Sequence, residues 1–132
     1  MKRDMDLVRT ILFYIESKYQ PGSGLIAVSM DGYDNNVIYE HCKLISQAGL
    51  IQKFEDCSTM SNCGCMVGNL TNAGYDYLDK IRDNTFWKRT KKIIKEKGLP
   101  MIIDTIKTVS TTVISAATEG AVTAYLNNGG QP

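Results

Sequence analysis

Residues 34–51, DNNVIYEHCKLISQAGLI, decide how this chain is read. Asp34, Val37, Ile38, His41, Leu44, Ile45 and Ala48 fall on one face at about 100° per residue, so the stretch predicts an amphipathic helix. Asp34 is placed to cap its start, and Gly49 to end it in a left-handed conformation. The other face carries Asn35, Asn36, Tyr39, Glu40, Lys43, Ser46 and Gln47. Downstream, Leu50 to Phe54 alternates like a strand, a loop runs from Cys57 to Cys65, and Met66 to Leu70 returns as a second strand. Helix, strand, loop and strand in that order form the second half of a winged helix-turn-helix.

Upstream, Met5, Val8, Leu12, Ile15 and Tyr19 recur at helical spacing, and Asp4 and Asp6 suit the positive end of that helix. Residues 20–24 break it, residues 25–28 read as a short strand, and Asp31-Gly32 as a turn. Thr71 caps a further helix, in which Gly74 allows close approach to a neighbour. Phe86 and Trp87 precede a basic run that Gly98 ends, and Pro100 opens a long final helix. The expected class is mainly α with a small β wing: a winged helix-turn-helix (1–83), a basic helix (84–98), a C-terminal oligomerisation helix (99–126) and a disordered tail (127–132).

With 43% hydrophobic and 22% charged residues, the chain is not globally disordered. The net charge of +1 hides an asymmetry: Lys88, Arg89, Lys91, Lys92, Lys95 and Lys97 stand against Glu96 alone in ten residues. Asp4 and Asp6 interrupt any signal-peptide pattern, and four cysteines are too few for a secreted disulfide scaffold. Reduced thiols in a cytoplasm are the expectation.

The opening residues 1–7, the stretch His41-x-x-Leu44-x-x-x-Ala48-Gly49-Leu50-Ile51, and Leu70-Thr71-x-x-Gly74-x-x-x-Leu78-x-x-Ile81-Arg82-Asp83 together resemble a family of bacterial and phage proteins. That family is domain of unknown function twenty-five thirteen, and the resemblance runs from Met1 to about Lys97. It implies a winged-helix fold and an association with phages or prophages, without enzyme activity or catalytic residues. Tyr75 stands where histidine is expected, and the cysteine-rich wing and long C-terminal helix are particular to this chain.

Asn35, Asn36, Tyr39, Lys43, Ser46 and Gln47 have the chemistry of a major-groove reader: amides for adenine edges, lysine for guanine, hydroxyls for phosphate. A plain solvated face is the competing reading, since this helix carries one cation and Glu40 repels phosphate. The run Lys88, Arg89, Lys91, Lys92 and Lys95 suits sequence-independent phosphate contact, although its cations are read as pointing several ways round the helix. His41 lies mid-way across the buried face and is read as structural. Cys57, Cys63 and Cys65 could supply thiolates to zinc, but their spacing is poor for a metal knuckle, so a reduced wing and no metal are expected. No paired carboxylates, phosphate loop or dinucleotide fingerprint suggest an enzyme or a cofactor.

Ile102, Ile106, Val109, Val113, Ala116, Gly120 and Ala124 step by fours and threes, the spacing of a helix seam. Self-association through that seam, packing back on the chain itself, and a membrane span compete. Asp104, Lys107, Glu119 and the many hydroxyls argue against the span. The expected function is a phage- or prophage-type DNA-binding regulator on double-stranded DNA, working as a homodimer or higher oligomer. The alternative is a protein-interaction module that inhibits or recruits a host protein.

Overall fold

The computed structural model describes residues 1–127. Five helices accompany one small antiparallel sheet among them: α1 (Met5–Lys18), β1 (Ile26–Ala27), α2 (Asn35–Gln47), β2 (Phe54–Asp56), β3 (Cys65–Val67), α3 (Asn72–Ile81), α4 (Asn84–Glu96) and α5 (Ile103–Asn127). The described residues cluster into two compact units, residues 1–78 and residues from 79 onward, with the boundary inside α3. Asn127 closes α5, and the rest of the expected tail lies outside the described residues.

In the first unit α1 presents Met5, Leu7, Val8, Ile11, Leu12 and Ile15 to the core. Asp4 caps it by accepting from the backbone N–H groups of Asp6 (3.0 Å) and Leu7 (3.2 Å), which would otherwise lack partners. Asp34 caps α2 in the same way through Asn36 N–H at 2.7 Å. The C-terminal end of α2 closes as a Schellman motif. Gly49 adopts φ +76°, its N–H donates to Ser46 C=O at 2.9 Å, and Leu50 N–H reaches Ile45 C=O at 3.1 Å. α2 packs on α1, β2 and β3.

The face α2 buries is Ile38, His41, Cys42 and Ile45. Val37 and Leu44 are half-buried and Ala48 is exposed, which corrects the expected face. The buried arc is turned toward Cys42 because β3 packs on that side. The sheet order is β1-β3-β2, with Ile26 opposite Val67, and Phe54, Glu55 and Asp56 opposite Val67, Met66 and Cys65. The expected strand from Leu50 is therefore shifted. Ile51 makes only an isolated bridge to Leu70, and the regular ladder begins at Phe54.

One junction explains why two of the quoted motifs occur together. Thr71 N–H donates to Leu50 C=O (3.0 Å), and Thr71 Oγ1 donates to Gly49 C=O at 2.6 Å. The same oxygen caps α3 by accepting Gly74 N–H at 3.0 Å. The first turn of α3 thus rests on the end of α2, and a Cβ at Gly74 would collide with the Leu50 carbonyl oxygen. Tyr75, at the position expected to be histidine, donates from its hydroxyl to Asn69 Oδ1 at 3.2 Å.

Between β1 and α2 the chain makes turn and coil rather than a helix. A complete helix-turn-helix has a helix there, so that finer part of the expected fold is not found among the described residues. The coarse expectation of helices with a small sheet holds.

In the second unit α4 packs along α5. The buried positions recur at helical spacing on both: Trp87, Thr90 and Ile94 on α4, and Ile106, Ser110 and Val113 on α5. Ile106 and Val113, expected at an interface between copies, are thus already buried within this chain. Ile102 and Val109 are half-buried, and the expected seam remains exposed at Ala116, Gly120 and Ala124. Hydroxyls of Thr108, Ser110, Thr111 and Thr112 donate to carbonyls one turn back on α5. No helix of the described residues is long and apolar enough to cross a membrane.

Candidate nucleic-acid interface

Two surfaces carry the residues expected to touch nucleic acid. On α2, Asn35, Asn36, Lys43 and Gln47 are exposed, and Tyr39 and Ser46 are half-buried. Tyr39 is already engaged. Its ring meets Phe54 edge-on with centroids 5.5 Å apart, and its hydroxyl donates to Asp56 Oδ2 at 2.8 Å. Asp56 in turn accepts Ser58 N–H at 2.8 Å and lies in the field of Lys43. The outer face of α2 therefore carries Glu40 and is bordered by the Asp56 carboxylate, with Tyr39 and Lys43 turned toward that carboxylate. Nothing in the local sequence of the helix announces Asp56, because it arrives through the β2–β3 hairpin.

The two side chains shift each other's titration. Backbone and side-chain hydrogen bonds from Ser58, then the Tyr39 hydroxyl, hold the Asp56 carboxyl below the usual carboxylate range. The bond to Asp56 pushes the Tyr39 phenol up, since ionising it would lose the donor and face a negative charge. Asp56 favours the folded β2–β3 hairpin at pH values above the ordinary carboxylate range, and that contribution disappears as pH falls through its lowered folded value. In an Asp56→Ala variant the Tyr39 phenol is expected to titrate at lower pH than in the parent. A spectroscopic pH titration of the Tyr39 ring checks this, and an unchanged midpoint would contradict the pairing.

On α4 the structure corrects the expectation of scattered charge. Lys88, Lys91, Lys92 and Lys95 lie within about 100° of arc, clear of the arc that buries Trp87, Thr90 and Ile94. Arg89 sits beyond one edge of this face, and Lys97 is the C-terminal cap of the helix. Lys88, Arg89, Lys92 and Lys95 are exposed, while Lys91 is half-buried with its ammonium 5.3 Å from the Trp87 ring centroid. Lys92 stands 3.9 Å from Glu96, an exposed pair that holds a cation only loosely. The charge separates by unit. Residues 1–78 hold six Lys and Arg against nine Asp and Glu, and residues 79–132 hold nine against five.

His41 is fully buried and makes two hydrogen bonds. Its Nδ1–H donates to Val37 C=O at 2.8 Å, and its Nε2 accepts Asp4 N–H at 2.9 Å, which specifies the tautomer. It joins α2 to the cap of α1, so it is a tie within the core.

Cys57 and Cys63 are exposed between β2 and β3, whereas Cys42 and Cys65 are buried. Among the described residues no three His, Cys, Asp or Glu side chains converge as a metal site would require.

A sequence profile of the family described as hypothetical protein (DUF2513) matches residues 2–100, from the start of the first unit through α4. The chain belongs to this family. A Haemophilus influenzae protein described as uncharacterized is 38% identical over 115 residues, covering 87% of this chain and 97% of its own length. No solved structure matches. The matched region contains both surfaces on α2 and α4, whereas α5 lies beyond it.

Proposed function

We propose that this member of the family binds double-stranded DNA through its phosphates, using the lysine face of α4. The observation that carries the reading is the single arc holding Lys88, Lys91, Lys92 and Lys95 in the basic part of an otherwise acidic chain. Four ammonium groups along about 10 Å of helix face a duplex that carries roughly six phosphates over the same length, and contacts of that kind release counterions. The strand order β1-β3-β2 supports reading the first unit as a winged-helix variant, a reading that puts α2 in the place of the recognition helix. Asp56 and Glu40 limit base reading by α2 to Asn35, Asn36, Ser46 and Gln47, so phosphate contact supplies most of the affinity. A phage- or prophage-type transcriptional regulator is the role that fits this chemistry and the family. Pairing of copies through Ala116, Gly120 and Ala124 on the exposed part of α5 would supply the symmetric oligomer such regulators use. Light scattering on the full chain and on Gly120→Leu tests that pairing.

The test of binding is a duplex titration of the protein and of its Lys88, Lys91, Lys92 and Lys95 to Ala variant. The variant is expected to lose affinity by about tenfold or more at low salt. Equal affinities would contradict the assignment. A second reading draws on the acidity of the first unit: nine acids against six bases suit a basic surface on a host protein better than a phosphate backbone. Failure to bind any duplex at low salt would favour it.

A further inference from the structure

The four lysines of the α4 face are not equivalent. Lys88 and Lys95 are exposed, and among the described residues neither meets an acid or an aromatic ring. Lys92 stands 3.9 Å from Glu96 in an exposed pair. Lys91 lies one turn after Trp87 and is half-buried, with its ammonium 5.3 Å from the indole centroid. Trp87 is itself only 3% exposed where α4 packs along α5, so its ring is a fixed surface. The negative face of an indole attracts an ammonium at that distance, and the lysine stem is held with it. An ammonium has three N–H donors, so one engaged by a ring can still donate to a phosphate oxygen.

We propose that Trp87 is a positioning residue for the phosphate contact, holding Lys91 as the anchor of the lysine face. The inference rests on the reading that α4 binds a duplex through its phosphates, and it says which cation dominates. A mobile lysine loses rotamer freedom when it binds a phosphate, whereas Lys91 has already lost it on folding. Lys91 is also half-buried, so it has less water to shed than exposed Lys88 or Lys95. All three carry the same unit charge, and counterion release is alike for each. What sets Lys91 apart is therefore a salt-independent part of the affinity. Trp87 contributes to that part without carrying charge.

The test measures affinity for a short duplex across salt concentrations, using the full chain. Lys88→Met, Lys91→Met and Lys95→Met each keep the apolar stem and remove the ammonium. Each should flatten the log–log salt slope by about 0.9. Lys91→Met should lose roughly three- to tenfold more affinity than either of the others at every salt concentration. Trp87→Leu should weaken binding several-fold with the slope unchanged, and Trp87→Phe, which keeps a ring, should weaken it less. Combined with Lys91→Met, the Trp87→Leu loss should vanish; combined with Lys95→Met, it should persist in full. If Trp87→Leu fails to fold, the three lysine variants decide. Equal losses for the three lysines, or a Trp87→Leu loss that adds to that of Lys91→Met, would overturn the inference and leave phosphate binding by α4 standing. No binding by the parent chain at low salt would overturn both.

Discussion

Gly74→Ala is expected to destabilise the first unit by about 3 kcal/mol or more, a large part of the ~5–15 kcal/mol that holds a domain of this size together. The added Cβ would meet the Leu50 carbonyl oxygen, which is backbone and cannot rotate away as a flexible side chain could. Relief requires the first turn of α3 to lift from the end of α2. That movement would also stretch the Thr71 bonds to Gly49 and Leu50. Urea unfolding measures the effect. Gly120→Ala is the control, because a Cβ there meets nothing and alanine is the better helix former. The first variant should unfold at much lower urea and the second at equal or higher urea. A Gly74→Ala protein with the parental midpoint would mean that α3 does not rest on Leu50.

His41→Ala is the second large effect, expected at about 1–3 kcal/mol. The ring fills a fully buried position and accepts the N–H of Asp4, the residue whose side chain caps α1. Truncation removes packing and leaves that N–H without its acceptor, so the start of α1 loosens along with the core. Hydrogen exchange should show lost protection at Asp4 together with a lowered urea midpoint. At temperatures where the variant remains folded, its affinity for duplex DNA should equal that of the parent. A stable variant that had lost binding would instead make His41 a functional residue.

Much of this arrangement could be read from local pattern. The caps Asp34 and Thr71 and the stop at Gly49 follow from side-chain chemistry acting over a few residues, and each is found where expected; Asp4, expected only to suit the positive end of α1, is its cap. The lysine face of α4 is equally legible, since 88, 91, 92 and 95 differ by three, one and three, and only Arg89 and Lys97 depart from it. What was not legible depends on distant segments. The register that places Asp56 opposite Cys65 brings a carboxylate to Tyr39, and no helix-wheel argument contains that hairpin. Ile106 and Val113 show the same limit. Their seam spacing is real, but spacing cannot say that α4 is what covers the start of α5.

The account rests on phosphate contact by α4, and salt dependence tests it most directly. Affinity for a short duplex is measured over a range of salt concentrations, for the full chain and for the variant with Lys88, Lys91, Lys92 and Lys95 changed to Ala. Each phosphate neutralised contributes about 0.9 to the log–log slope, so loss of four contacts should flatten it by roughly 3–4. Tight binding at low salt with that flattening is the expected result. Parallel slopes for the two proteins, or no binding by the full chain at low salt, would contradict it.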